Sequence, residues 1–151
     1  MMASDPADMS LFTELDKLPQ SWSGIPESQS AINEVDCRRL EVVSFLSRGE
    51  FAIPLTNLLQ RAKKLEANIS FEGLRKILEN RDQIPESLRE FSFLFPEVQG
   101  IANPRLGSMM AVLVFNKEKG WHLEFRLMSR RTERTDRFVR PLKRVQQGIF
   151  V

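Results

Sequence analysis

The side chains that could carry chemistry gather in one stretch, KGWHLEFRLMSRRTERTDRFVRPLKR, residues 119 to 144. It holds the sole histidine, His122, followed by Glu124 and Arg126 at i+2 and i+4. In an extended strand that spacing puts all three on one face. His122 could then act as a general base and Arg126 as an anion clamp, the outline of a small hydrolytic enzyme. The same alternation also describes a plain solvated strand face behind Trp121, Leu123, Phe125 and Leu127, and it accounts for every residue without catalysis. A metal-dependent nuclease built on Glu124-x-Arg126 needs a second carboxylate on the preceding strand. No Asp occurs between Asp82 and Asp136, and the preceding apolar run has no acid at all.

Other catalytic outlines are missing too. There is no G-x-S-x-G nucleophile turn, and neither G-x-x-x-x-G-K nor G-x-G-x-x-G occurs to cradle a phosphate. One His and one Cys fall short of the three or four ligands that zinc takes. Cys37, alone in the chain, can form no intrachain disulfide, and a small buried thiol is its ordinary fate. No catalytic residue, metal or cofactor is therefore expected.

What remains is charge. Between 126 and 144 stand Arg126, Arg130, Arg131, Arg134, Arg137, Arg140, Lys143 and Arg144. Arginine predominates, and a guanidinium grips phosphate or carboxylate through paired N–H groups where an ammonium is a point charge. Thr132, Thr135 and Phe138 are interleaved, which points to structured surface rather than a disordered basic tail. No RNA-recognition signature accompanies it, so the attraction is electrostatic and unspecific.

The formal net charge of the 151 residues is only +2, yet it is unevenly laid out. Residues 1–36 carry seven acids against Lys17, while residues 115–151 carry ten Lys or Arg against four acids. Such asymmetry suggests an anionic partner, or an acidic segment folding back on a basic one. The longest apolar run, Met109 to Phe115, is far below the ~20 residues of a membrane-spanning helix. With no secretory pattern at the amino terminus and a lone cysteine, the expected location is intracellular: cytoplasmic, with a nuclear one also compatible.

The elements that must position these residues follow from hydrophobic spacing. An acidic, flexible head over 1–27 carries a short amphipathic helix, with Leu11, Phe12, Leu15 and Leu18 as a docking face for a partner. A single α+β domain over 28–151 follows. Ile32, Val35, Val42, Val43 and Leu46 fall at helical spacing ahead of Gly49, although Leu40 to Leu46 is β-branched enough to be a strand. PLTNLLQRAKKLEAN predicts the strongest helix, with Leu55, Leu58, Leu59, Ala62 and Leu65 as its stripe. Ser70 should cap a second helix with Phe71, Leu74, Ile77 and Leu78 inward. The short link between them predicts an antiparallel helical hairpin. A short helix should begin at Pro85. Phe91, Phe93 and Phe95 alternate until Pro96 stops them. Residues 108–116, a hairpin with Gly120 in its loop, the strand from Trp121, and Thr135 to Arg140 complete an antiparallel meander of about three strands.

The sequence thus leads to an α+β fold with N-terminal helices packed on that meander. The expected function is a non-enzymatic interaction or adaptor protein, whose basic face contacts a polyanion, nucleic acid first among them. The alternative is a protein-interaction subunit that binds an acidic protein surface and docks through residues 10–18. A hydrolase using His122 ranks third.

Overall fold

A computed structural model describes residues 31–103, 105 and 107–142. The head, with Leu11, Phe12, Leu15 and Leu18, and the pair Lys143 and Arg144 lie outside the described residues. The described chain builds a five-stranded mixed sheet from β1 (Leu40–Val43), β2 (Ser92–Asn103), β3 (Gly107–Asn116), β4 (Gly120–Leu127) and β5 (Asp136–Pro141), with two short helices, α1 (Leu58–Lys64) and α2 (Phe71–Glu79). The strand order is β1-β5-β2-β3-β4. The antiparallel meander is therefore β2-β3-β4, one hairpin earlier than expected. The strand expected to complete it, β5, leaves β4 altogether. It inserts between β1, antiparallel, and β2, parallel.

The segment read as helical from Ile32 to Leu46 is broken by Asp36. Its carboxylate accepts the Arg38 N–H at 3.0 Å, and its carbonyl accepts the Arg39 N–H at 2.9 Å. An aspartate that satisfies the backbone two residues on makes a turn and competes with helix. The β-branched LEVV that follows then pairs with β5, Leu40 opposite Pro141 and Val43 opposite Phe138. Gly49 does take a positive φ of 88°, but in a turn rather than a helix cap. Nor does Pro96 end its strand. β2 runs through it with a register irregularity between Phe95 and Gln99, the kind of position where a strand tolerates a residue without N–H.

The helical hairpin does not form, because the two helices cover opposite faces of the sheet. Leu55, Leu58 and Ala62 pack with Phe45, Ile53, Leu94, Met110, Val112 and Phe138. Leu74, Ile77 and Leu78 pack on the other side with Phe93, Phe95, Ala111, Leu113, Trp121, Leu123 and Val139. Neighbouring residues such as Phe93 and Leu94, or Ala111 and Val112, thus feed different cores. That is why these strands read as unbroken apolar runs. The fold is mostly β, a two-faced sheet with one short helix on each side, in place of N-terminal helices on a three-stranded meander.

The link between the helices has to change faces, and it does so where β5 and β2 part. Those strands pair only at Ser92–Asp136 and Phe93–Arg137. Beyond that point Arg140 donates to the Leu65 carbonyl from β5, and the Asn68 amide reaches Glu97 of β2 at 3.4 Å. α1 stops early to allow this. Glu66 adopts φ 56°, with Glu66 N–H on the Lys63 carbonyl and Ala67 N–H on the Ala62 carbonyl. This is a Schellman stop with glutamate where glycine is usual, and so the sequence carries no mark of it. Ser70 caps α2 as expected, its hydroxyl accepting the Gly73 N–H at 3.0 Å.

Two stability tests follow. Leu58 is fully buried under the sheet, so Leu58→Ala should cost ~2–5 kcal/mol in chemical denaturation, while the half-buried Leu59 should cost clearly less. Gly73 sits in α2, where alanine normally gains about 1 kcal/mol of helix propensity. Here an added Cβ meets the Ile32 carbonyl oxygen at 2.6 Å and the Ile69 Cγ2 at 2.7 Å. Gly73→Ala should therefore destabilise by ~1–3 kcal/mol, and a rise in the denaturation midpoint would contradict that packing.

Candidate functional site

His122, Glu124 and Arg126 do share a face, the α1 face, at the β4 edge where the apolar cover gives out. Their cross-strand partners are Val114, Val112 and Met110. His122 Nδ1 lies 3.1 Å from the Gly120 carbonyl oxygen, and Nε2 lies 3.4 Å from Glu124 Oε2. Cys37 belongs to the core on the opposite face. Its Sγ donates to the Ile77 carbonyl, and burial pushes the thiol up to about 11. The sheet itself separates Cys37 from His122. Among the described residues no group of three His, Cys, Asp or Glu side chains could hold a metal ion.

The arginines divide into two sets. Arg126 reaches Asp136 with two hydrogen bonds, Nη1–Oδ2 at 2.5 Å and Nη2–Oδ1 at 3.3 Å. The Asp136 carboxylate is fully buried and also accepts the Glu133 N–H at 2.6 Å. Arg140 is engaged with Glu41 at 3.1 Å and with the Leu65 carbonyl. Arg137 donates to the carbonyls of Arg134 and Asp136 and lies over the Phe91 ring at 5.1 Å. All three are engaged within the protein. Arg130, Arg131 and Arg134 are exposed. Arg130 has a loose contact at 3.8 Å with Glu133, both side chains more than half exposed. Such a contact contributes little.

The loop that carries the exposed set is fixed. Beyond β4 the chain swings to residues 52–55, where Thr132 N–H donates to the Ile53 carbonyl at 2.9 Å and Ile53 N–H to the Thr132 hydroxyl at 3.0 Å. Leu55 N–H adds a bond to the Arg130 carbonyl at 3.1 Å. At its far end the Glu133–Asp136 turn is closed by Asp136 N–H on the Glu133 carbonyl. The loop is thus tied at Arg130, Thr132 and Asp136, with Arg131 and Arg134 displayed between the ties.

The clip also brings in residues that the sequence did not single out. Arg131 Nη2 donates to the Ala52 carbonyl at 3.1 Å. Just before it, Glu50 grips Arg61 of α1 through two bonds of 2.5 and 2.8 Å and accepts the Ser47 N–H at 2.6 Å. Arg61, Lys63 and Lys64 line, with Asn57 and Gln60, an open groove of about 750 Å³. The exposed Lys63 and Lys64 enter no ion pair among the described residues. In this stretch the sequence marked only Gly49, as the end of a helical segment, with nothing to say that it faces the arginine loop. No family model matches the chain, and neither a curated protein nor a solved structure matches it.

Glu50 supplies a pH test of this arrangement. The Arg61 guanidinium, and then the Ser47 N–H, hold its carboxyl down at about 2 from an ordinary 4.5. A depressed carboxyl lends stability that is complete above its unfolded value and is lost as pH falls through the folded one. The gap in urea midpoint between wild type and Glu50→Gln should be widest above pH 4.5, narrow steadily below it, and close near pH 2. A gap constant across that window would show that the pair does not form in solution.

Proposed function

We propose that this protein is a non-enzymatic binding protein that lays a polyanion, a nucleic-acid backbone above all, along its fixed arginine loop. The observation that carries the reading is the division among the arginines. Arg126, Arg137 and Arg140 are engaged internally, whereas Arg130, Arg131 and Arg134 stand exposed on a loop tied on both sides. A loop whose backbone is already tied loses little main-chain freedom on meeting phosphates, and each guanidinium can present paired donors. Contacts to phosphates carry no sequence information, so binding through these arginines should be nearly indifferent to sequence. Among the described residues no helix is long and apolar enough to cross a membrane.

The test is salt dependence. Each neutralised phosphate releases counterions, so three arginines should give a log affinity against log salt slope of ~2–3 in magnitude. Arg130→Ala with Arg134→Ala should flatten it by ~1.5, and His122→Ala should leave affinity unchanged. If the wild type binds neither single-stranded nor duplex nucleic acid at low salt, the reading fails. The basic loop would then fall to the alternative, an acidic protein surface.

A further inference from the structure

Phe51 is 89% exposed, far more than Leu142, the next large apolar residue on the described surface at 52%. A solvated phenylalanine adds nothing to the core, and a mobile one would be unremarkable. This one is held. The turn before it is closed by Glu50 N–H on the Ser47 carbonyl at 3.0 Å. Glu50 is bonded to Arg61, the Ala52 carbonyl accepts from Arg131, and Ile53 is clipped to Thr132. The ring therefore projects from a segment whose two neighbouring residues each hold a guanidinium, with exposed Arg48 three positions upstream.

We propose that Phe51 is a stacking platform for one base of a single-stranded nucleic acid whose phosphates run over Arg130, Arg131 and Arg134. The inference rests on the nucleic-acid reading above and narrows it to a strand form. An aromatic ring beside a positive track is the arrangement that holds single strands, because every unpaired base offers a π-face. In a duplex those faces are stacked inside the helix and out of reach. Arg131 gives only one N–H to the Ala52 carbonyl, and a guanidinium has five, so it can hold the segment and a phosphate together.

The experiment uses the full chain and dye-labelled strands of roughly 12 nucleotides, within the usual site size. Three probes are compared by fluorescence anisotropy: oligothymidylate, a duplex of equal length, and an abasic strand with the same backbone. Phe51→Ala should weaken oligothymidylate roughly 5- to 150-fold, the range that stacking of one base supplies. Phe51→Trp should restore it. Duplex and abasic affinities, and the salt slope, should be unchanged, since no counterion leaves with a ring. Thermal stability should not move, because the side chain is outside the core. If wild type binds with the expected salt slope but Phe51→Ala loses nothing, or loses equally on all three probes, the stacking role falls while the backbone reading stands. If the wild type binds no probe, both fall. A labelled oligoglutamate serves as a fourth, protein-like probe: if Phe51→Ala weakens it as much as the strand, the ring serves a protein and the proposal is overturned.

Discussion

The ion pair between Arg126 and Asp136 is the contact on which the rest of the molecule hangs. It joins β4 to the start of β5, strands three places apart in the sheet. Taking both charges out of water is costly, and it is offset here because the carboxylate accepts three hydrogen bonds, one of them from its own turn. Loss of one partner from such a pair typically costs ~3–5 kcal/mol, since the other is left buried and unpaired. The pair also sets what the surface can do. With Asp136 taken up by Arg126, it no longer offsets the positive charge of the loop before it.

Much of the carboxyl-terminal third was legible in the sequence, and the reason is local. Trp121 and Leu123 face one core while His122 and Glu124 lie on the opposite face of the sheet, His122 largely buried there rather than solvated, and Gly120 takes the φ of 72° that its hairpin needs. Ser70 announced the start of α2. These are signals written within a few residues. The architecture was not legible, because its deciding contacts are distant. Nothing near Phe138 says that its strand will pair with Val43, and nothing near Glu66 says that the chain turns left-handed there to change faces. A sheet covered on both sides also hides the alternation that would distinguish one face from the other.

The candidate site divides the same way. A cluster of arginines is visible as composition. Which of them remain available depends on the carboxylates of Asp136 and Glu41 and on three backbone carbonyls, with partners up to 99 positions away. Phe51 carried no signal at all, since an aromatic residue after a turn is ordinarily the first residue of a core strand. Only the clip between Ile53 and Thr132 shows that the chain enters the core after it.

The placement of β5 has a consequence for how the chain reaches this state. β1 meets its sheet partner only after roughly a hundred further residues, Leu40 pairing with Pro141, and that partner is itself the parallel neighbour of β2. A nascent chain emerging amino terminus first can close the β2-β3-β4 meander on its own. Among the described strands β1 pairs only with β5, so it waits unpaired by them until β5 has been made. Such non-local closure is slow relative to hairpin formation. For that interval the LEVV segment is a free strand edge, the form in which a chain is most open to pairing with the wrong neighbour.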